Sequence, residues 1–198
     1  MEDMGLFKRS KEVASILVIL IAWVAAAASP QQDPVAYITP AQSAQKRGIA
    51  PGMKVKLLTG GDNPKEYAVI FNNGDEVYSG LLDFAERYHV TSGHFTAIGA
   101  LRSVTLGWLD PQKKMYRENL IHQQVEVATM TGDFALYRGK PALHAHIVVA
   151  RSDGSASGGH LIEGIVYPTL EVFVTVDPVS LQRHYDPISD ITLIDATQ

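Results

Sequence analysis

The sequence contains no cysteine. Disulfides, thiolate-ligated metal sites, a cysteine nucleophile and a lipid anchor on an N-terminal cysteine are therefore excluded. An oxidising compartment is not, because disulfides are permitted there and not required. Positive charge is also scarce. Lys and Arg total 17 against 21 Asp and Glu, a net charge of −4, and no basic run after residue 11 exceeds the pairs Lys46-Arg47 and Lys113-Lys114. Proteins that grip nucleic acid by neutralising phosphates carry a basic patch or stripe, so composition disfavours that role. Phosphate loops are missing as well, since Gly158-Gly159 lacks the spacing and the Lys-Ser/Thr partner that cradle a phosphate. Ser155 and Ser157 lie in no strand–turn–helix elbow that would make either a nucleophile.

The longest apolar run lies near the start. Lys8, Arg9 and Lys11 precede residues 13–24 (VASILVILIAWV), and the small residues 25–28 (AAAA) follow. A charged segment, an apolar core and an Ala-x-Ala end make up the layout of a secretory signal peptide. The whole apolar stretch, 13–28, is shorter than the about 20 residues of a spanning helix. Residues 1–28 are expected to be cleaved after Ala28, leaving no membrane span and a mature protein that is periplasmic or secreted. These residues carry three basic and three acidic groups, so their removal leaves the charge at −4. Export separates the protein from the chromosome, a second argument against DNA as its partner.

Residues 29–52 hold Pro30, Pro34, Pro40 and Pro51 with no apolar period, and they read as a flexible lead-in. Periodic signals begin at Met53. Residues 53–58 alternate, 67–71 (YAVIF) form a short apolar run, and a turn is expected at 60–64. Residues 75–89 change period: Val77, Leu81, Leu82, Phe84, Ala85 and Tyr88 recur at three- and four-residue steps. Asp75 and Glu76 stand where a helix N-terminus favours anions. One principal helix is expected there. Beyond it the pattern predicts strands at 95–98, 104–109, 115–120, 124–130, 134–137, 142–150, 161–166, 170–176, 183–185 and 191–194, with a Gly- and Ser-rich loop at 151–159. One helix among many short strands argues for an α+β domain at 53–195 on a mainly antiparallel sheet.

The residues that carry chemistry are histidines. His144 and His146 lie two apart on an expected strand and so face the same side, their stems roughly 6.6 Å apart at about 3.3 Å per residue. His160 stands just past the glycine loop. Three histidines with an open position is a familiar zinc arrangement, and without cysteine, Zn, Ni, Cu, Fe and Co all remain feasible. A plain hairpin centred on the 151–159 loop sets His160 opposite residue 150, about 13 Å from His146. Either the loop folds back over the sheet, or His160 comes from another strand arrangement or from another subunit. His94 and His122 are either further ligands or surface residues; His89 and His184 are structural. Glu171, in the apolar run 170–176, is a candidate fourth ligand, histidine-orienting partner or general base, or else a salt-bridge partner of Arg102 or Arg151.

Residues 95–101 (FTAIGAL), 104–108 (VTLGW), 132–136 (GDFAL), His144-Ala145-His146, 158–161 (GGHL) and 169–171 (TLE) together resemble the plants-and-prokaryotes conserved (PPC or PCC) domain, also called domain of unknown function 296. The likeness runs over about residues 53–195 and suggests an exported bacterial member. It implies an α+β fold, a homotrimer, and zinc or another divalent transition metal held by His144, His146 and His160. Trimeric assembly is a second way to bring a third ring to the ion. A metal-binding trimer that binds a small-molecule ligand or has a hydrolase-like activity, with Glu171 as candidate base, is one reading of the role. The other is a DNA-binding or regulatory oligomerisation module, the label the family often carries. Plant members, however, add an AT-hook, and no Arg-Gly-Arg hook occurs here.

Overall fold

The computed structural model describes residues 35–43, 47–59 and 64–197. The expected signal peptide and the turn at 60–63 lie outside the described residues. The chain in order is β1 (Tyr37–Ile38), α1 (Pro40–Ser43), β2 (Lys54–Leu57), β3 (Lys65–Asn72), α2 (Val77–Arg87), β4 (Ser92–Asp110), β5 (Met115–Ile121), β6 (Val125–Tyr137), β7 (Lys140–Ala150), β8 (Ala156–Val176), β9 (Gln182–Asp186) and β10 (Ile191–Asp195). The protein is mostly β-sheet with few helices. Among the described residues, no helix is long and apolar enough to cross a membrane.

The expected helix is present, and a single carboxylate organises its start. Glu76 is its N-cap. Tyr78 N (3.0 Å) and Gly164 N (3.1 Å) donate to its Oε1, and Ser79 N (2.6 Å) donates to its Oε2. The side chain thus satisfies two amides that a helix start leaves without partners and ties α2 to β8. Burial raises its pKa, opposed by those amides. At the other end His89 takes the left-handed conformation, φ 53°, that closes many helices; its role is structural, as expected. Replacing Glu76 by Ala is expected to destabilise the fold by about 2–4 kcal/mol, because three amides lose a charged acceptor in a buried setting. Urea unfolding measures this, and Glu76→Gln, which retains one acceptor oxygen, should recover part of the loss.

Three strands are longer than the sequence pattern implied. The segments expected at 95–98 and 104–109 are one strand, β4, that passes through residues 99–103 on bulges in its pairing with β6 and β8. Gly99 at φ 148° lies where a Cβ would be 2.4 Å from the Thr169 oxygen. The glycine marks a bulge and a close strand approach, not a break. Likewise 124–130 and 134–137 merge into β6, and the two strands at 161–166 and 170–176 merge into β8. The lead-in expected to be flexible carries β1, paired with β5, and the short α1.

These long strands wrap. The pairings β4–β6, β6–β7, β7–β8 and β8–β4 are all antiparallel and close a circuit. β3 and β2 extend from β8, and β5 and β1 from β4. Helix α2 fills one side, burying Val77, Leu81, Leu82, Phe84 and Ala85 against Phe71, Phe95 and Phe134, with Phe84 and Phe134 ring centres 6.2 Å apart. β9 and β10 form a terminal hairpin hooked to β6, where Leu136 N donates to the Leu181 carbonyl at 2.8 Å.

Candidate metal centre

Strand pairing brings the three histidines together. β7 sends His144 and His146 to its outer face while Leu143, Ala145 and Ile147 turn inward. His160 on β8 stands directly opposite His146. The expected offset of four residues does not occur, and no second subunit is needed to supply a ring. The connection is a tight turn at residues 151–155, closed by Arg151 N donating to the Ser155 carbonyl at 2.8 Å with Gly154 at φ 81°. β8 then begins at Ala156, and Gly158 and Gly159 are strand residues facing Val148 and Ile147. A Cβ on Gly159 would lie 2.8 Å from the Gly107 oxygen of β4. The glycines read as a loop signal are therefore there for strand packing.

The ring centres of His144, His146 and His160 lie 5.0, 5.4 and 5.7 Å apart. One ring nitrogen from each falls within 4.8 Å of the others. Ligands around a tetrahedral zinc at about 2.0–2.1 Å sit roughly 3.3 Å apart, and rotation of the two exposed side chains, His144 and His146, spans the difference.

The surroundings favour the neutral form of His144 and His160. His160 is 7% exposed. Its ring stacks flat on Tyr116 of β5, with centres 4.5 Å apart and planes 1° from parallel. Burial, then the neighbouring His144, His146 and Arg183, push its pKa down to about 3. Burial also lowers His144, against the pull of Asp133. A neutral imidazole is the form that binds a metal. The buried Nδ1 of His160 has no hydrogen-bond partner among the described residues, a costly arrangement unless a ligand completes it.

A carboxylate backs the site. Asp133 on β6 pairs with His144 across the strands, its Oδ2 3.8 Å from His144 Nδ1. Arg183 on β9 donates to Asp133 Oδ1 through Nη2 and to the Thr192 carbonyl through Nη1 at 3.1 Å. A carboxylate behind a histidine ligand sets the ring's orientation and tautomer. Asp133, Tyr116 and Arg183 were not foreseen. Asp133 sits within the 132–136 motif, but Arg183 carries no sequence signal because its partner is 50 residues away.

The remaining candidates stand apart. Glu171 lies eleven positions beyond His160 on β8, exposed between the inward-facing Leu170 and Val172. The run 170–176 is buried on one face only, so Glu171 needs no buried partner and touches neither the cluster nor Arg102 or Arg151 in any ion pair among the described residues. Among the described residues it is not part of the histidine group. His94 is exposed beside Asp177 at 3.8 Å. His122 and His184 are exposed and outside the cluster.

Comparison with solved structures places this fold among known relatives. A protein from Bacteroides thetaiotaomicron described as DNA-binding is 29% identical, with a TM-score of 0.69 over 74% of this chain and 99% of its own. One from Ralstonia eutropha, also described as DNA-binding, is 31% identical, with a TM-score of 0.65 over 72% of this chain and 95% of its own. A metal-containing protein from Archaeoglobus fulgidus is 25% identical, with a TM-score of 0.61 over 71% of this chain and 96% of its own. A search of curated proteins finds no match. Residues 58–177 match the Plants and Prokaryotes Conserved (PCC) domain, and the chain belongs to that family.

Proposed function

We propose that this protein is a metal-binding member of its family, with His144, His146 and His160 holding one divalent transition-metal ion, zinc the first choice. The observation that carries this reading is the convergence of three ring nitrogens within 4.8 Å of one another, backed by the Asp133 carboxylate. The metal-containing Archaeoglobus relative supports it. Zinc so held lowers the pKa of a bound water and polarises a ligand oxygen. The chain's own groups supply the setting: Asp133 orients His144, Arg183 fixes Asp133, and Tyr116 packs His160 in place. The test is metal analysis of the purified full chain after dialysis, with bound zinc expected near one per chain and an absence of any transition metal overturning the reading. Asp133→Asn should keep that stoichiometry but weaken affinity about 10- to 100-fold, read by competition with a chromogenic chelator.

The same proposal includes export through residues 1–28 and assembly into a homotrimer. The outer sheet face supports the assembly: Ile98 (58% exposed) and Phe173 (49%) lie uncovered on it, and exposed apolar clusters mark contact surfaces. Sedimentation equilibrium tests this, a monomer refuting it. A second reading, DNA binding, is favoured by the descriptions of the Bacteroides and Ralstonia relatives and opposed by the charge of −4. Salt-dependent binding to duplex DNA would support it; no binding at low salt would end it.

A further inference from the structure

Beside the histidines lies a half-open cavity of about 940 Å³, at the upper end of the roughly 300–1,000 Å³ of small-molecule sites. His144, His160, Tyr116 and Asp133 form one wall, all from residues that match the family domain. Two other walls come from outside residues 58–177. The α1 segment lies on one side, and the β9–β10 hairpin, with Arg183, Tyr185 and residues 190–194, lies on another. The chain's flanking segments thus turn a metal site on a sheet face into a walled, half-open cleft.

The charge of that cleft is uneven. Arg47, Arg138, Lys140 and Arg183 line it, against Asp133 and Asp190. Both carboxylates are engaged, Asp133 by Arg183 and Asp190 by the Tyr185 hydroxyl, which donates to it at 2.5 Å. Arg47 pairs with Glu86 at 3.3 Å. Arg138 and Lys140, flanking Gly139 at the β6–β7 turn, have no carboxylate partner among the described residues. The Arg183 side chain, only 5% exposed, also keeps its Nε without a hydrogen-bond partner. Apolar side chains, among them Leu82, Pro141 and Leu193, complete the lining.

We infer that this cavity binds a small organic anion, a carboxylate on an apolar body. The carboxylate faces Arg138, Lys140 and the histidine-held ion, and the body rests on the apolar walls. The inference rests on the proposed metal centre for the ion's share of that recognition. A cavity with unpaired cations and an apolar lining selects an organic acid over its neutral amide, because charge-assisted hydrogen bonds are about twice as strong as neutral ones.

The test is calorimetric titration of the zinc-loaded full chain with phenylacetate, phenylacetamide and inorganic phosphate, with zinc content measured on the same samples. Phenylacetate is expected to bind about tenfold tighter than the amide, the difference made by one charged contact, and tighter than phosphate, which leaves the apolar walls unfilled. In Lys140→Ala and Arg138→Ala, both exposed turn residues, phenylacetate should weaken by about the same tenfold factor, with amide binding and zinc content unchanged. Zinc-loaded protein that does not distinguish acid from amide, or that prefers phosphate, overturns the anion pocket and leaves the metal centre standing. Protein that holds no zinc overturns the metal centre and this inference with it.

Discussion

In the full chain carrying His160→Phe, bound zinc is expected to fall to near zero after dialysis. The substitution suits the site because the phenyl ring keeps a flat face against Tyr116, 4.5 Å away in the native stack, and fills a position that is only 7% exposed. It removes both ring nitrogens and slightly enlarges the ring. A zinc site is worth about 10–16 kcal/mol over its ligand set, so each protein ligand carries roughly 3 kcal/mol or more, over a hundredfold in affinity. His144→Ala and His146→Ala should give the same loss with little effect on folding, since both rings are exposed. His94→Ala, His122→Ala and His184→Ala should leave the metal content unchanged. If zinc stayed at the wild-type level in all three ligand variants, the assignment would be wrong. If it fell equally in the His94, His122 and His184 variants, the metal would be binding to surface histidines.

How much of this was legible in the sequence differs by feature, for physical reasons. The His-x-His pair was readable because strand side chains alternate with period two, and α2 was readable because its apolar residues recur at helical steps. The partnership of His146 with His160 was not. It depends on hairpin register, and register depends on where β8 begins. Gly158 and Gly159 looked like loop residues, yet they let β8 pass close to β4 at Gly107. The same error split β4 at Gly99. Glycine signals a break and a close strand approach equally, and only the neighbouring strand distinguishes them. The exposure of Glu171 was hidden for a related reason: an apolar run can belong to a strand with one face open, as Phe173 at 49% exposure demonstrates. Asp133 and Arg183 were out of reach because a carboxylate acquires its role from what it faces, and Arg183 arrives on β9 from beyond the matched domain.

Acid should destabilise the metal-free protein through His160, and the sign follows from the direction of its shift. The folded-state pKa is pushed down to about 3 from 6.5, so between those values the unfolded chain binds a proton that the folded chain does not. Stability therefore rises with pH across that window. His160 exerts no penalty above pH 6.5, and the loss grows as pH falls toward 3 at up to about 1.4 kcal/mol per unit, roughly 2 kcal/mol between pH 6.5 and 5. His144 is shifted in the same direction by burial and adds to the slope. In His160→Phe the main contribution disappears. Urea unfolding of chelator-treated protein at pH 7 and pH 5 should show the wild type losing about 2 kcal/mol more than the variant; parallel losses would mean that the buried ring is not the proton-sensitive group. Zinc should sharpen the contrast, because a metal binds only neutral imidazoles and stabilises the folded state by an amount that grows with the logarithm of its concentration over its dissociation constant. Adding zinc at pH 7 should therefore raise the stability of the wild type and leave the variant where it was. Lowering the pH should take that gain away together with the protein's own margin. One substitution thus tests two consequences of the same buried nitrogens, the proton they refuse and the metal proposed for them.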